Sequence, residues 1–299
     1  MAGIDRRQFL QNSAALAASL KTLEATSTAA RAAEPDEVGA KKVGPNDAIR
    51  VAVIGVRGRG MEHIQSYLKL KDARITTICD VDQNVTGRAK KAIGDKYGSE
   101  PKYVQDLRRV FDDKDIDAVS IATPNHWHSL ATIWACQAGK DVYVEKPVSH
   151  NVFEGRKMVE AARKYNRIVQ TGTQCRSHQG IQDAMAYLHG GKLGQIYMAK
   201  GLCYKPRGSI GIKADAPVPE GLDYDLWVGP AEKTLYNPNK LHYNWHWIWN
   251  TGNGDLGNQG IHQMDLARWG INKHEFPKSV QASGGRFASN TAPSDPSSR

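Results

Sequence analysis

The stretch Ile49-Arg50-Val51-Ala52-Val53-Ile54-Gly55-Val56-Arg57-Gly58-Arg59-Gly60 passes from a β-favouring apolar run directly into three closely spaced glycines. The first six residues read as a buried strand. The glycines then form a turn, and a helical pattern follows from Met61 to about Leu70. Strand, glycine turn and helix in that order open a doubly wound α/β sheet, in which the backbone approaches a pyrophosphate and a helix N-terminus faces its charge. The spacing is G-x-x-G-x-G, with Arg57 where a second glycine usually stands. The same residues therefore also fit an ordinary tight strand–helix turn.

Working outward, Ala73-Arg74-Ile75-Thr76-Thr77-Ile78-Cys79 reads as a second strand ending at Asp80. An acidic residue about 20 positions beyond the glycines is expected on the adenosine ribose hydroxyls. Asp80 there favours NAD, because a 2′-phosphate would meet a carboxylate, while Arg57 and Arg59 leave room for NADP. Asp80 equally fits a helix cap ahead of Asn84. Helical patterns cover 83–93 and 104–111. A further strand over 117–122 leads to Thr123-Pro124-Asn125-His126-Trp127-His128 and an amphipathic helix that Gly139 ends. Asp141-Val142-Tyr143-Val144-Glu145-Lys146-Pro147 follows. Proline cannot continue a central strand, so Glu145 and Lys146 are held at a carboxyl edge, where open α/β sheets bind ligands. Asn151 and Glu154 then open a helix as a capping box, and 167–171 supplies another strand. Strands and helices alternating from 49 to 171 predict a parallel Rossmann sheet.

The pattern then changes. A helix is expected around 178–190, a long strand over 195–204, and an alternating aromatic run over 242–249. Gly252 to Gly260 opens a last helix carrying His262. The organisation predicted is 1–46 leader and linker, 47–172 nucleotide-binding domain, and 173–299 α+β domain with an open mixed sheet that stops early. The tail from Ser289 has a disordered composition.

Net charge is +9 over 299 residues, but the basic residues are scattered pairs with no nucleic-acid-binding motif. The four cysteines form no C-x-x-C pair and fit no zinc signature, and Cys79 and Cys136 fall in core-like segments. His242 and His246 lack a third ligand, so no metal is expected. Asp5-Arg6-Arg7-Gln8-Phe9-Leu10, a short apolar run and Ala30-Arg31-Ala32 resemble a twin-arginine export signal. This predicts a periplasmic protein without a membrane anchor once the signal is cleaved.

The run A-T-P-N-H-W-H-S-L-A through D-V-Y-V-E-K-P, with D-L-W-V-G-P-A and G-N-Q-G-I-H-Q-M-D further on, resembles the glucose-fructose oxidoreductase/inositol dehydrogenase (Gfo/Idh/MocA) family over roughly 49–287. The resemblance implies a Rossmann domain, a second domain whose open sheet often oligomerises, and a homo-oligomer if that domain is complete. It implies Lys146 as catalytic lysine and His262 as its assistant at the reacting hydroxyl. Gly55, Gly58, Gly60, Asp80, Thr123, Asn125, His126 and Glu145 match cofactor-binding or cofactor-proximal positions. Pro147 matches a proline that is often cis. One departure is Asn258, four residues before His262, where many relatives carry an aspartate. Asparagine hydrogen-bonds but cannot take up a proton, so proton handling falls to Lys146 and His262.

The expected chemistry is hydride transfer between a tightly bound nicotinamide and a sugar or polyol hydroxyl. Trp245 and Trp247 would stack on a sugar ring or else pack a core, and Arg176 and Tyr204 are further substrate candidates. Two alternatives stand beside this: a redox-neutral glycosidase or lyase working through a transient keto-sugar, and an inactive sugar-binding protein.

Overall fold

A computed structural model of the chain describes residues 48–284 apart from Pro206, so the expected leader, linker and tail lie outside the described residues. Six strands form one parallel sheet: β1 (Ile49–Ile54), β2 (Ala73–Cys79), β3 (Lys102–Val104), β4 (Ala118–Ile121), β5 (Asp141–Val144) and β6 (Val169–Thr171), in the order β3-β2-β1-β4-β5-β6. The order reverses between β1 and β4, and a crevice opens at such a switch point. Backbone bonds continue past the strand ends: Gly55 N–H to the Cys79 carbonyl (2.8 Å), Ala122 N–H to Ile54 (2.8 Å), and Glu145 N–H to Ile121 (3.0 Å). The functional edge is thereby tied residue by residue to the sheet.

Helices α1 (Arg59–Tyr67) and α2 (Gly87–Tyr97) cover one face, burying Val53, Ile64, Ile75, Ile78 and Ile93. The other face packs Val119, Ile121, Val142 and Val144 beneath α3 (Arg108–Asp112), α4 (Asn125–Gln137) and α5 (Val152–Lys164). Strands buried on both faces explain the continuous rather than alternating apolar runs. Asn151 caps α5 as expected, the Glu154 N–H donating to its Oδ1 at 2.9 Å, but the return half of the box differs: Glu154 accepts from Asn151 Nδ2 (2.8 Å) and from the His150 N–H (3.2 Å).

Beyond β6 lie α6 (Gln179–His189), α7 (Tyr224–Val228), a wide turn over Leu256–Gly260 and α8 (Ile261–Gly270). A small core of Tyr224, Trp227 and Val228 forms there. Two expectations are corrected here. Residues 195–204 run as irregular backbone rather than a strand, because the only sheet among the described residues is the Rossmann sheet and no strand lies beside them to pair with. The aromatic run is not extended either; Asn244–Trp247 makes one tight 3₁₀ turn. Among the described residues, no helix is long and apolar enough to cross a membrane.

Candidate active site

A cavity of about 450 Å³ opens at the carboxyl edge of β1, β2, β4 and β5. Its floor is the glycine turn. Gly55 sits at φ +81°, and a Cβ there would lie 2.7 Å from the Ala122 carbonyl oxygen; one on Gly60 would lie 1.7 Å from the Gly55 carbonyl oxygen. Only glycine permits this approach of β1, α1 and the β4 loop. At one end of the cavity Asp80 accepts hydrogen bonds from the Val56 N–H (2.9 Å) and the Asp82 N–H (3.1 Å). Asp80 is not the helix cap: Asp82 takes that place, accepting from the Asn84 N–H at 3.0 Å. On the β4 side the Thr123 hydroxyl is buried without a partner, although the residue lines the cavity. A buried orphan hydroxyl and a cradle closed to any Cβ are what a dinucleotide site presents when its ligand is to complete it. The residues fit NAD: the 55–59 turn for the pyrophosphate, Asp80 for the ribose, and 123–125 for the nicotinamide end.

Lys146 enters from the end of β5. Its peptide bond to Pro147 is cis. The backbone is held on one side by its own N–H donating to Glu145 Oε2 at 3.1 Å, and its amine donates to the Asn258 carbonyl at 2.5 Å. Burial lowers the amine's pKa, and the nearby charges of Arg59 and Lys205 act in the same direction against the pull of Glu145. A proton is thus released more readily than from an exposed lysine. His262 lines the same cavity with its pKa lowered, first by burial and then by Lys146; its Nδ1 lies 3.9 Å from Cys175 Sγ. Two proton-exchanging groups, each with its pKa below its ordinary value, therefore share one space.

Glu145 stays charged. Burial raises its pKa, but hydrogen bonds from His63 (3.0 Å) and Arg59 (2.7 Å) outweigh that and bring it to about 2. Arg59 is also held by Glu62 and Gln174. It is therefore committed to an acidic cluster rather than free to meet a phosphate.

Most of the residues singled out from sequence line the cavity: Gly55, Arg57, Gly58, Arg59, Asp80, Thr123, Asn125, Glu145, Lys146, Trp245, Asn258 and His262. Gly60 shapes the turn from beneath. His126 does not line the cavity; its buried ring contacts the carbonyl oxygens of Trp227 (3.0 Å) and Thr251 (3.4 Å), tying the chain beyond β6 to α4. Three substrate candidates also lie outside the lining. Arg176 pairs with Asp265 at 2.8 Å, Tyr204 is 85% exposed on the irregular segment, and Trp247 stacks beneath Arg207 at 4.6 Å. Conversely, His128, Tyr243, His246 and Gln259 line the cavity. His128 was legible as part of the polar cluster after β4, and helical geometry separates it from His126 by two positions, which turns the two rings to different sides. Tyr243 belongs to the aromatic run expected to stack on a sugar ring or pack a core, whereas His246 carried no signal beyond its aromatic neighbours. His242 Nε2 donates to Asp82 Oδ2 at 2.8 Å, and no metal-ligating cluster occurs among the described residues.

The comparisons with known proteins agree with this geometry. Residues 49–173 match the GFO_IDH_MocA model, an oxidoreductase family with an NAD-binding Rossmann fold, and residues 202–291 match that family's C-terminal alpha/beta domain. The chain belongs to the Gfo/Idh/MocA oxidoreductase family. Its Rossmann domain is NAD-binding. Among curated members of similar sequence is a glycosyl hydrolase family 109 protein 2 of Shewanella sp. (strain ANA-3), 36% identical over 177 residues, which are 56% of this chain and 39% of that protein. A glycosyl hydrolase family 109 protein of Saccharopolyspora erythraea is 28% identical over 262 residues, 84% of this chain and 52% of that protein. The chain therefore spans about half or less of the length of these relatives. The WlbA dehydrogenase of Bordetella pertussis shares the fold, with a TM-score of 0.57 at 23% identity over 76% of this chain and 56% of that one.

Proposed function

We propose that this chain is an NAD-dependent oxidoreductase that moves a hydride between nicotinamide and an alcohol carbon of a sugar or polyol. The observation that carries the reading is Lys146: a half-buried amine with a lowered pKa, set at the end of β5 in the cavity that Gly55, Asp80 and Thr123 share. Nicotinamide bound there supplies the hydride acceptor or donor. Lys146 Nζ takes the hydroxyl proton as the carbon gives up its hydride, and returns it in the reverse direction. His262 stands on the substrate side to hold the same hydroxyl. Tyr243 and Trp245 offer flat apolar walls suited to a sugar ring. Asp80 disfavours a 2′-phosphate and so supports NAD over NADP.

A second reading is favoured by the names of the curated relatives. In it the oxidation would be transient: the keto-sugar would expel the glycosidic leaving group as an alcohol, water would take its place, and bound NADH would reduce the carbonyl back to the alcohol. The twin-arginine-like leader at 5–10 supports either reading with a cofactor that stays bound after export, since a protein leaving the cytoplasm loses access to a soluble dinucleotide pool. The test is mass spectrometry of gently purified protein for retained NAD, followed by incubation with free sugars and aryl glycosides. Lys146-dependent reduction of NAD supports the first reading. Glycoside cleavage at constant nicotinamide absorbance supports the second, and no Lys146-dependent conversion of either panel rejects both.

A further inference from the structure

His128 is fully buried on α4, three residues past the cavity-lining Asn125. Its two ring nitrogens reach backbone oxygens from two different strand ends. Nδ1 lies 2.6 Å from the Pro147 carbonyl, just after β5, and Nε2 lies 2.8 Å from the Thr123 carbonyl, just after β4. Both oxygens only accept. A neutral ring has one N–H and donates to one of these carbonyls, whereas an imidazolium donates to both, so holding Pro147 requires the N–H on Nδ1. Lys146 lies immediately before the clamped proline. Glu145 holds its N–H from the other side at 3.1 Å, and the Asn258 carbonyl receives its amine.

We propose that His128 is a positioning residue for Lys146: by donating from Nδ1 to the Pro147 carbonyl it ties that carbonyl to α4, and so fixes where the lysine amine points. This rests on the oxidoreductase reading for its effect on turnover, but its effect on the amine is independent of that reading. A displacement of about 1 Å at a reacting group costs about 100-fold in rate. His128→Leu, which keeps the bulk and removes both contacts, should therefore lower kcat about 100-fold with little change in the Kd for NAD. His128→Gln, whose amide N–H can reach one carbonyl, should recover most of that loss.

The deciding experiment follows four quantities in wild type, His128→Leu and His128→Gln. They are kcat and KM on the active sugar, the NAD Kd, and the titration of the Lys146 amine in 15N-lysine-labelled protein, assigned with Lys146→Arg. We expect the amine to titrate below the ordinary lysine range in wild type and in the glutamine variant, and to return toward it in the leucine variant. A leucine variant with unchanged amine titration overturns the proposal, as does a neutral His128 protonated at Nε2 in 15N-histidine spectra. If the leucine variant does not fold, His128→Asn, too short to reach Pro147, replaces it with the same expectations. If no sugar turns over in wild type, the oxidoreductase reading fails while the amine titration still decides the role of His128.

Discussion

At the scale of single residues, Lys146 and Glu145 are sequence neighbours with opposite electrostatic fates. Burial lowers the amine's pKa, whereas His63 and Arg59 hold the carboxyl at about 2 despite its burial. Lys146→Ala should lower turnover by about 10²–10⁴-fold while leaving the Kd for NAD unchanged; equal loss of both would reassign the lysine to cofactor binding. In wild type the rate of alcohol oxidation should rise with pH through a value below the ordinary lysine range, because the amine must be neutral to accept a proton. For Glu145 the linkage has the usual carboxylate sign. Its folded pKa lies below its unfolded value of 4.5, so the stabilisation is complete above pH 4.5 and is lost as pH falls toward 2. Glu145→Gln should thus cost on the order of 3 kcal/mol at pH 7, with the difference from wild type shrinking in urea melts taken toward pH 3. A difference that stays constant with pH would remove the ion pair with Arg59 and the hydrogen bond from His63 from the account. Sequence located both residues at the strand's edge, since proline fixes where β5 stops. It did not indicate that Glu145 serves Arg59 and His63, because those partners come from α1 and meet it only in the folded sheet.

Among the elements, the β1–α1 turn was legible because its requirement is steric and local, whereas 195–204 was not. A strand is defined by a neighbour to pair with, and an apolar alternating run without one remains irregular. The three-residue β3 was missed for the converse reason: Lys102–Val104 is too short for a period to register, and its pairing with β2 alone makes it a strand. Within the turn the glycines are unequal. At Gly58 an added Cβ meets nothing within 4 Å and only the backbone at φ +46°, ψ −110°, outside the left-handed helical well, opposes it, so Gly58→Ala should cost about 1–3 kcal/mol. At Gly60 the Cβ would collide with the Gly55 carbonyl oxygen, and either α1 or the strand end must move. Gly60→Ala should lower the melting temperature more than Gly58→Ala and abolish retention of NAD through purification. If Gly60→Ala retains NAD and melts as wild type does, α1 is not seated on the strand end as described.

For the molecule as a whole, the question is what joins the chain beyond β6 to the Rossmann sheet so that Trp245, Asn258 and His262 complete the cavity. The family motif sets His126 beside the cofactor position, yet its ring is buried against the Trp227 and Thr251 carbonyls, and Trp127 Nε1 donates to the Leu226 (3.0 Å) and Trp227 (3.1 Å) carbonyls from the next position. The start of α4 is therefore a joint. Burial dominates the His126 titration and lowers its pKa to about 4, so the folded protein binds it neutral while the unfolded chain protonates it near 6.5. Because the folded value is the lower one, the unfolded state binds more protons between the two, and stability is lost as pH falls from 6.5 toward 4. The full loss from this one ring is roughly 3 kcal/mol. His126→Gln, which can keep one amide N–H on the Trp227 carbonyl, should weaken the fold at pH 7.5 but remove this part of the acid sensitivity. The gap between variant and wild type in urea unfolding should then narrow from pH 7.5 to pH 5, while NAD binding persists at neutral pH. Parallel stability curves would mean that His126 is not the neutral ring at the joint, and loss of NAD binding alone would return it to the cofactor site.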